Sequence, residues 1–431
     1  MAIAEESPQT DTACENAQVT HAPVAYIMSR FPKLTETFVL YEILAAQRVG
    51  VPVEVYPLRR EKCTTMHKEA EPIVAKAHFS PWLSVAIVLA NLQFLLQMPG
   101  TYLATWFTLV RANLGSVRYL AGAVLYFPKS VWMSKDMQRR GVTHIHAHFC
   151  SHPAATAYII HRLTGIPYSF TAHGTDLHCD RHMLLEKVAD ASSVIGISDY
   201  NRNLILEECG QQFASKVHVI HCGVDTAKFT PRTSSTSFDE GTGPMVLLCI
   251  GTLHEVKGQT YLIQACAKLR EQAFDVQCQF IGGGADMEML QTQCKDLGIE
   301  EHVIFWGPRT RDQIVDHLAA ADALVTPSVL TKNGQREGIP VVLMEGMASG
   351  VPCIGSNLSG IPELLGGQCG LLPNPRDVDS IVDSIKTLYQ DAGLRRQFAE
   401  NGRARVEQEF NLITNAEKLI SEFHLSSIAT S

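Results

Sequence analysis

The 431-residue sequence predicts an α/β protein of two parallel-sheet domains that face each other across a cleft, and three observations carry that prediction. Apolar runs of strand length recur, each closed by Gly, Ser, His or Pro and followed by a longer helical pattern, as in successive parallel α/β units. A Thr/Ser/Gly-rich stretch at 226–243 interrupts the alternation, which then restarts. From about 377 to 425 the pattern is helical without further strands, and a polar tail follows at 426–431.

Taken in order, residues 1–22 are acidic, small and polar. They lack the positive start and apolar run of a secretory signal, and read as a disordered tail on a chain that stays inside the cell. The first domain, 23–228, carries expected strands at 24–28, 53–56, 144–148, 168–171, 193–197 and 217–220. After a linker at 229–243, the second domain, 244–400, carries them at 245–250, 276–281, 303–306, 323–326 and 352–355. Between the second and third strands, 77–128 contains no Asp or Glu; its only charges are Arg111 and Arg118, and aromatic residues such as Trp82, Trp106 and Phe107 are spread through it. A membrane span needs about 20 nearly uninterrupted apolar residues. Asn91, Gln93, Gln97 and Pro99-Gly100 break the best run, so a spanning helix is rejected. Two readings stay open: helices buried in the first domain, or helices lying in a bilayer interface with aromatic and Arg side chains at headgroup level.

Composition removes several classes. With 46% hydrophobic and 19% charged residues the chain folds by ordinary burial. Lys plus Arg number 36 against 44 for Asp plus Glu, and no basic run could neutralise several phosphates of a nucleic acid. The 12 cysteines are scattered singly with no CxxC and no zinc spacing, and read as small buried hydrophobes in a reducing cytoplasm.

Ligands of open parallel sheets bind beyond the carboxyl ends of the strands, so the loops there are the place to look. The most informative is Arg336-Glu337-Gly338-Ile339-Pro340, leading into a helix that carries Glu345. Pro340 suits the first turn of that helix. The backbone N–H groups of Gly338, Ile339 and Val341 can hold an anion such as a diphosphate. Glu337, just before the helix, and Glu345, inside it, can each accept paired hydrogen bonds from vicinal hydroxyls, one set on a sugar and one on a ribose. Lys257, in the loop from Gly251 to Gly258, offers a compact charge to a phosphate. Gly282-Gly283-Gly284 lets backbone approach a ligand but does not complete GxGxxG, because Met287 stands at the last position; a nicotinamide enzyme is disfavoured. His173 closes a strand before a Gly turn and is expected to face the cleft. His144, His146 and His148 alternate on one face of a strand. With no cysteine pair or carboxylate near them in sequence, packing is preferred over a metal site, with His148 at the strand end lining the cleft. The chain has no GxSxG, no GxxxxGK[ST] and no HExxH.

Together, Ser29 to Phe38, His144 to Phe149, Thr171 to Asp176, Ile197-Ser198, His221 to Asp225, Lys257-Gly258, Gly282 to Gly284 and the pair Glu337 and Glu345 resemble the family 4 retaining glycosyltransferases of GT-B fold, in the branch that builds exopolysaccharides and glycolipids. The resemblance spans about 24–415. It implies transfer of a sugar from a nucleotide-sugar donor to a glycan or lipid-linked acceptor with retained configuration and no metal or other cofactor. Lys257 then binds the diphosphate, Glu337 the donor sugar, Glu345 the ribose, Gly338 and Ile339 the phosphates, and His173 lies at the reacting carbon. Arg309 lines the base pocket and Gly283 the donor site, while Lys33, Thr35 and His148 belong to the acceptor side. The departing diphosphate itself helps to deprotonate the acceptor. A C-terminal helix in 401–431 packs back on the first domain. The resemblance places the protein in the cytoplasm, peripherally on the inner face of the cytoplasmic membrane. Thr252 stands where the family usually carries a phosphate-binding arginine, for which Arg336 or another basic side chain can substitute. That departure supports an alternative, a catalytically silent sugar-nucleotide-binding subunit of a partner transferase. A GT-B epimerase or phosphorylase shares the cleft, but no residue marks the pyridoxal lysine a phosphorylase needs.

Overall fold

The computed structural model describes residues 21–33, 36–61, 66–234 and 236–423. Thr35, all of the expected tail but His21 and Ala22, and the polar C-terminal tail lie outside the described residues. The first sheet is built from β1 (Val24–Phe31), β2 (Val53–Arg60), β3 (His144–His148), β4 (Tyr168–Ala172), β5 (Ser193–Gly196) and β6 (Val217–Val219), in the order β2-β1-β3-β4-β5-β6 with every pair parallel. The second is built from β7 (Met245–Ile250), β8 (Val276–Ile281), β9 (Val303–Gly307), β10 (Ala323–Thr326), β11 (Cys353–Gly355) and β12 (Gly370–Leu371), in the order β12-β11-β10-β7-β8-β9, again parallel. Helices cover the sheets, and the strands read as continuous apolar runs because they are buried on both faces.

Differences from the sequence reading have local causes. β2 continues through Pro57 to Arg60 because it is the sheet's edge strand, where a missing N–H costs no ladder bond. β12 was not expected, and its two residues are too short for any periodicity. The strand order turns back between β1 and β3 in the first sheet and between β7 and β10 in the second. The loops that follow these four strands therefore flank the two switch points where parallel sheets hold ligands.

The acid-free stretch forms the helices Val85–Gln97 and Pro99–Ala112 and the start of Val117–Arg139. One face of it is buried and the other is exposed. Ile87, Ala90, Phe94 and Leu109 enter the core, yet 13 of the 19 large hydrophobic side chains exposed on the described surface lie between Trp82 and Leu125. Among the described residues no single helix is long and apolar enough to cross a membrane; Val85–Gln97 and Pro99–Ala112 reach that mark only together, and they bend by 113° at their junction.

The chain crosses between the domains twice, side by side. Val224 N–H donates to Phe410 O at 2.9 Å and Leu412 N–H to Val224 O at 3.1 Å. The helix Leu412–Ser421 then lies against the helix Thr37–Arg48 of the first domain, Phe423 stacks on His144 with ring centroids 4.6 Å apart, and Ser193 Oγ donates to Glu422 Oε2 at 2.9 Å. At this double crossing a Cβ on Gly223 would stand 2.3 Å from Leu412 Cα, so one crossing segment must move to admit it. Gly223→Ala is expected to lower stability by about 1–3 kcal/mol in thermal denaturation; an unchanged melting temperature would mean the two segments are not held together.

The linker 226–243 is not slack. Phe229 is fully buried, and the Arg403 guanidinium donates to the carbonyls of Phe229 and Ala348 at 2.6 Å and of Thr226 at 3.0 Å.

Candidate functional site

The two sets of strand-end loops enclose a cleft of about 1110 Å3. It is reached by His173, Lys257, Gly283, Arg309, Glu337, Gly338, Ile339 and Glu345, together with Lys33 from the first domain. Thus nearly all the residues singled out by sequence converge on one space. His148 does not. It is fully buried beneath His173, because helix Thr37–Arg48 covers the β3 end that was expected to open into the cleft. Thr35 lies outside the described residues.

On the second domain, Lys257 ends a short 3-10 turn after β7, and its Nζ lies 2.9 Å from Glu337 Oε1. The pair joins the loop after β7 to the loop after β10, on either side of the switch point. Leu253 N–H donates to Gly283 O at 3.1 Å, which fastens the loop after β8 to the same place. The helix expected to start at Pro340 is Val341–Ala348, with Pro340 at its N-cap and no side chain capping it. Its first turn therefore presents backbone N–H groups and the positive end of the helix dipole to the cleft.

Glu345 lies inside that helix. Burial pushes its carboxyl up to about 7, against the pull of the Arg311 guanidinium. Arg311, which sequence reasoning missed, starts the helix Arg311–Ala320 and lies over the Tyr41 ring, 3.7 Å from its centroid, so it also ties the second domain to the first. Arg309 lies 5.6 Å from the centroid of Trp306 at the exposed rim. Thr252 lines the cleft as well, and Arg336, its suggested substitute, donates from Nη1 to the Tyr200 hydroxyl at 2.7 Å.

On the first domain, His173 follows β4, and Asp176 shapes its loop by accepting from the backbone N–H of Cys150 and of Gly174, both at 2.8 Å. The imidazole sits between Phe38 and Phe149, with centroids at 4.6 and 5.0 Å. Burial, and then the neighbouring His148, hold it well below the usual histidine range, so it is neutral. The domains meet at this point: a Cβ on Gly338 would stand 2.8 Å from His173 O, so only glycine brings the loop of Glu337 this close to His173. Nearby, Asp199 and Tyr200 N–H, at the start of the helix Asp199–Cys209, donate to the Glu363 carboxylate at 2.8 and 2.9 Å. Sequence reasoning also missed Arg118 and Tyr119, which bring the end of the acid-free stretch to the cleft wall.

Chemically the cleft offers a lysine and a helix start for an anion, two carboxylates for hydroxyl groups and a neutral imidazole opposite them. Comparison with known proteins shows the family and the fold. Residues 36–228 match the family described as Glycosyltransferase Family 4, and residues 232–405 match Glycosyl transferases group 1. The chain is 29% identical over 244 residues to a GDP-mannose-dependent alpha-(1-6)-phosphatidylinositol monomannoside mannosyltransferase of Mycobacterium tuberculosis, a match covering 55% of this chain and 63% of that protein. It is 26% identical over 407 residues to the amylovoran biosynthesis glycosyltransferase AmsK of Erwinia amylovora, covering 90% of this chain and 96% of the relative. Among solved structures, Anabaena Alr3699/HepE in complex with UDP-glucose matches with a TM-score of 0.67 at 17% identity, over 92% of this chain and 98% of the other. At that identity the likeness is one of fold: two Rossmann-like domains in the GT-B arrangement.

Proposed function

Because the chain belongs to glycosyltransferase family 4, we propose that it transfers a sugar from a nucleoside diphosphate sugar to an acceptor of cell-surface polysaccharide or glycolipid synthesis, with retained configuration and without a metal. The Lys257–Glu337 pair at the mouth of an uncapped helix carries this reading. A donor diphosphate entering here takes Lys257 as its counter-ion and the helix start as its hydrogen-bond donors. Glu337, released from the lysine, then accepts hydroxyls of the donor sugar, and Glu345 those of the ribose. As the bond from sugar to phosphate breaks, negative charge grows on the leaving oxygen, and Lys257 and the helix start stabilise it more than they stabilise the intact donor. Neutral His173 stands across from Glu337 near the carbon that changes partner. The acceptor enters from the first domain on the face the diphosphate leaves, and the leaving phosphate takes its proton.

Screening purified protein against UDP-, GDP- and ADP-sugars tests this reading. Thermal stabilisation and nucleoside diphosphate release with one donor are expected; stabilisation without release would move the assignment to the silent-subunit reading that Thr252 favours, and no response at millimolar donor would overturn the nucleotide-sugar reading.

The acceptor side takes a lipid-linked sugar at a membrane surface. The apolar helices between Trp82 and Leu125 are free of acidic residues, and Arg118 and Tyr119 connect them to the cleft. Such a surface suits the interface of an anionic leaflet, the inner face of the cytoplasmic membrane in this reading. Leu92 and Leu96, at 50% and 72% exposure, lie on the outer face of this surface. The double variant Leu92→Glu, Leu96→Glu is expected to lose flotation with vesicles containing anionic lipid while keeping its melting temperature. Flotation equal to the unaltered protein would dismiss the membrane contact.

A further inference from the structure

Behind His173 lies a line of buried polar atoms that the transfer mechanism does not use. His148 Nδ1 and His173 Nε2 are hydrogen-bonded at 3.1 Å. On the other side of the His148 ring, Nε2 stands 3.1 Å from Glu42 Oε1, on the helix Thr37–Arg48. Among the described residues neither atom has a hydrogen-bond partner, so what joins them is this ion-pair approach. His146 lies 3.8 Å from the same carboxylate oxygen, but its Nδ1 pairs with Ser169 Oγ at 2.8 Å and its Nε2 with Thr171 Oγ1 at 3.1 Å. Of the three β3 histidines Glu42 therefore faces His148, and the buried Tyr26 hydroxyl stands beside the same carboxylate. A cavity of about 20 Å3, room for one water, lies beside Glu42.

We infer that Glu42 and His148 are positioning residues that fix the tautomer of His173. A carboxylate facing His148 Nε2 keeps the proton on that nitrogen and leaves Nδ1 as a lone pair. That lone pair accepts from His173 Nε2–H. His173 Nδ1 is then an unprotonated acceptor, directed toward Cys222 Sγ at 3.9 Å on the cleft wall, where a hydroxyl of a bound sugar can donate to it. The arrangement works as a buried carboxylate does in hydrolase triads, where the carboxylate selects the tautomer without itself taking the proton. The inference rests on the transfer reading only for what His173 acts upon.

The test uses the whole protein labelled with 15N-histidine, with tautomers read from two-bond 15N–1H correlations and assigned through His148→Phe and His173→Asn. Unaltered protein is expected to show both His148 and His173 protonated on Nε2. Glu42→Gln should shift both toward Nδ1–H, and it should lower kcat by about tenfold or more with the donor KM little changed. If Glu42→Gln does not fold, His148→Phe removes the same acceptor and is read in the same way. A His173 signal that stays on Nε2–H in a folded variant, or a kcat equal to the unaltered protein, overturns the inference. So does one equivalent of zinc in protein purified without chelator, because Glu42, His146 and His148 would then be its ligands. If no nucleotide-sugar is turned over, the transfer reading falls while the tautomer measurement still decides this one.

Discussion

Lys257→Ala is expected to lower sugar transfer by roughly 10²–10³-fold and to leave the fold intact. In the proposed mechanism the lysine meets the charge that grows on the leaving diphosphate, and its removal also leaves its ion-pair partner Glu337 facing that diphosphate. Both effects act more strongly on the transition state than on the bound donor, so the loss falls mainly on kcat. Stability is expected to change little, because the ion pair is partly exposed at 22% and 17%, and such pairs contribute about 0–1 kcal/mol. Glu337→Gln separates the two partners. It frees Lys257 and is expected to tighten binding of the bare nucleoside diphosphate while lowering turnover of the sugar donor. Turnover of Lys257→Ala within threefold of the unaltered protein, at equal thermal stability, would remove Lys257 from the mechanism.

Glu345→Gln is expected to abolish a pH dependence of donor binding centred near 7. Burial pushes the Glu345 carboxyl up to about 7, so at pH 6 the empty protein mostly holds it protonated. Paired hydrogen bonds from vicinal hydroxyls favour the ionised form, so donor binding releases a proton, and affinity rises with pH until the group is fully ionised. The same shift acts on stability in the opposite direction. The folded protein holds this proton more tightly than the unfolded chain, so stability declines as pH rises from the ordinary carboxyl value through about 7. With partial water access discounted, the decline amounts to roughly 2–3 kcal/mol. The glutamine variant should therefore melt higher than the unaltered protein at pH 8 and match it at pH 4, while binding donor more weakly at pH 8. Calorimetric titration in buffers of different ionisation enthalpy, alongside melting curves at both pH values, measures both effects. A donor affinity that is flat with pH in the unaltered protein would sink the assignment of Glu345 to the ribose.

The site was legible in sequence to the extent that its residues stand at strand ends. Lys257 follows β7, Glu337 follows β10 and His173 follows β4, and parallel sheets bring such loops together whatever their separation in the chain. What failed to show were residues that reach the site from the flank of a helix. Glu42 occupies a polar position on a helix with Val39, Leu40 and Ile43 buried, a pattern that reads as an ordinary surface glutamate. Arg311 looks like a first-turn residue of a surface helix, and nothing local marks the aromatic ring it meets in the other domain. The alternation of His144, His146 and His148 gave the shared face, but what covers a face is set by distant parts of the chain, here Thr37–Arg48 and Phe423. The acid-free stretch left two readings open because amphipathic helices bury one face in either case. Its large apolar outer face emerges only once the inner one is packed.

The segment Leu412–Ser421 and Phe423, though they follow the second domain in the chain, belong by what they touch to the first, which the ribosome makes before it. While the chain is being synthesised, one flank of helix Thr37–Arg48 and the part of the histidine face that Phe423 covers, at His144 and His146, wait uncovered through the production of the entire second domain. At about 5–20 residues per second that interval lasts some tens of seconds. The first domain is therefore finished only after Phe423 has left the exit tunnel, and chains interrupted short of residue 412 carry an exposed apolar flank that chaperones and proteases can recognise.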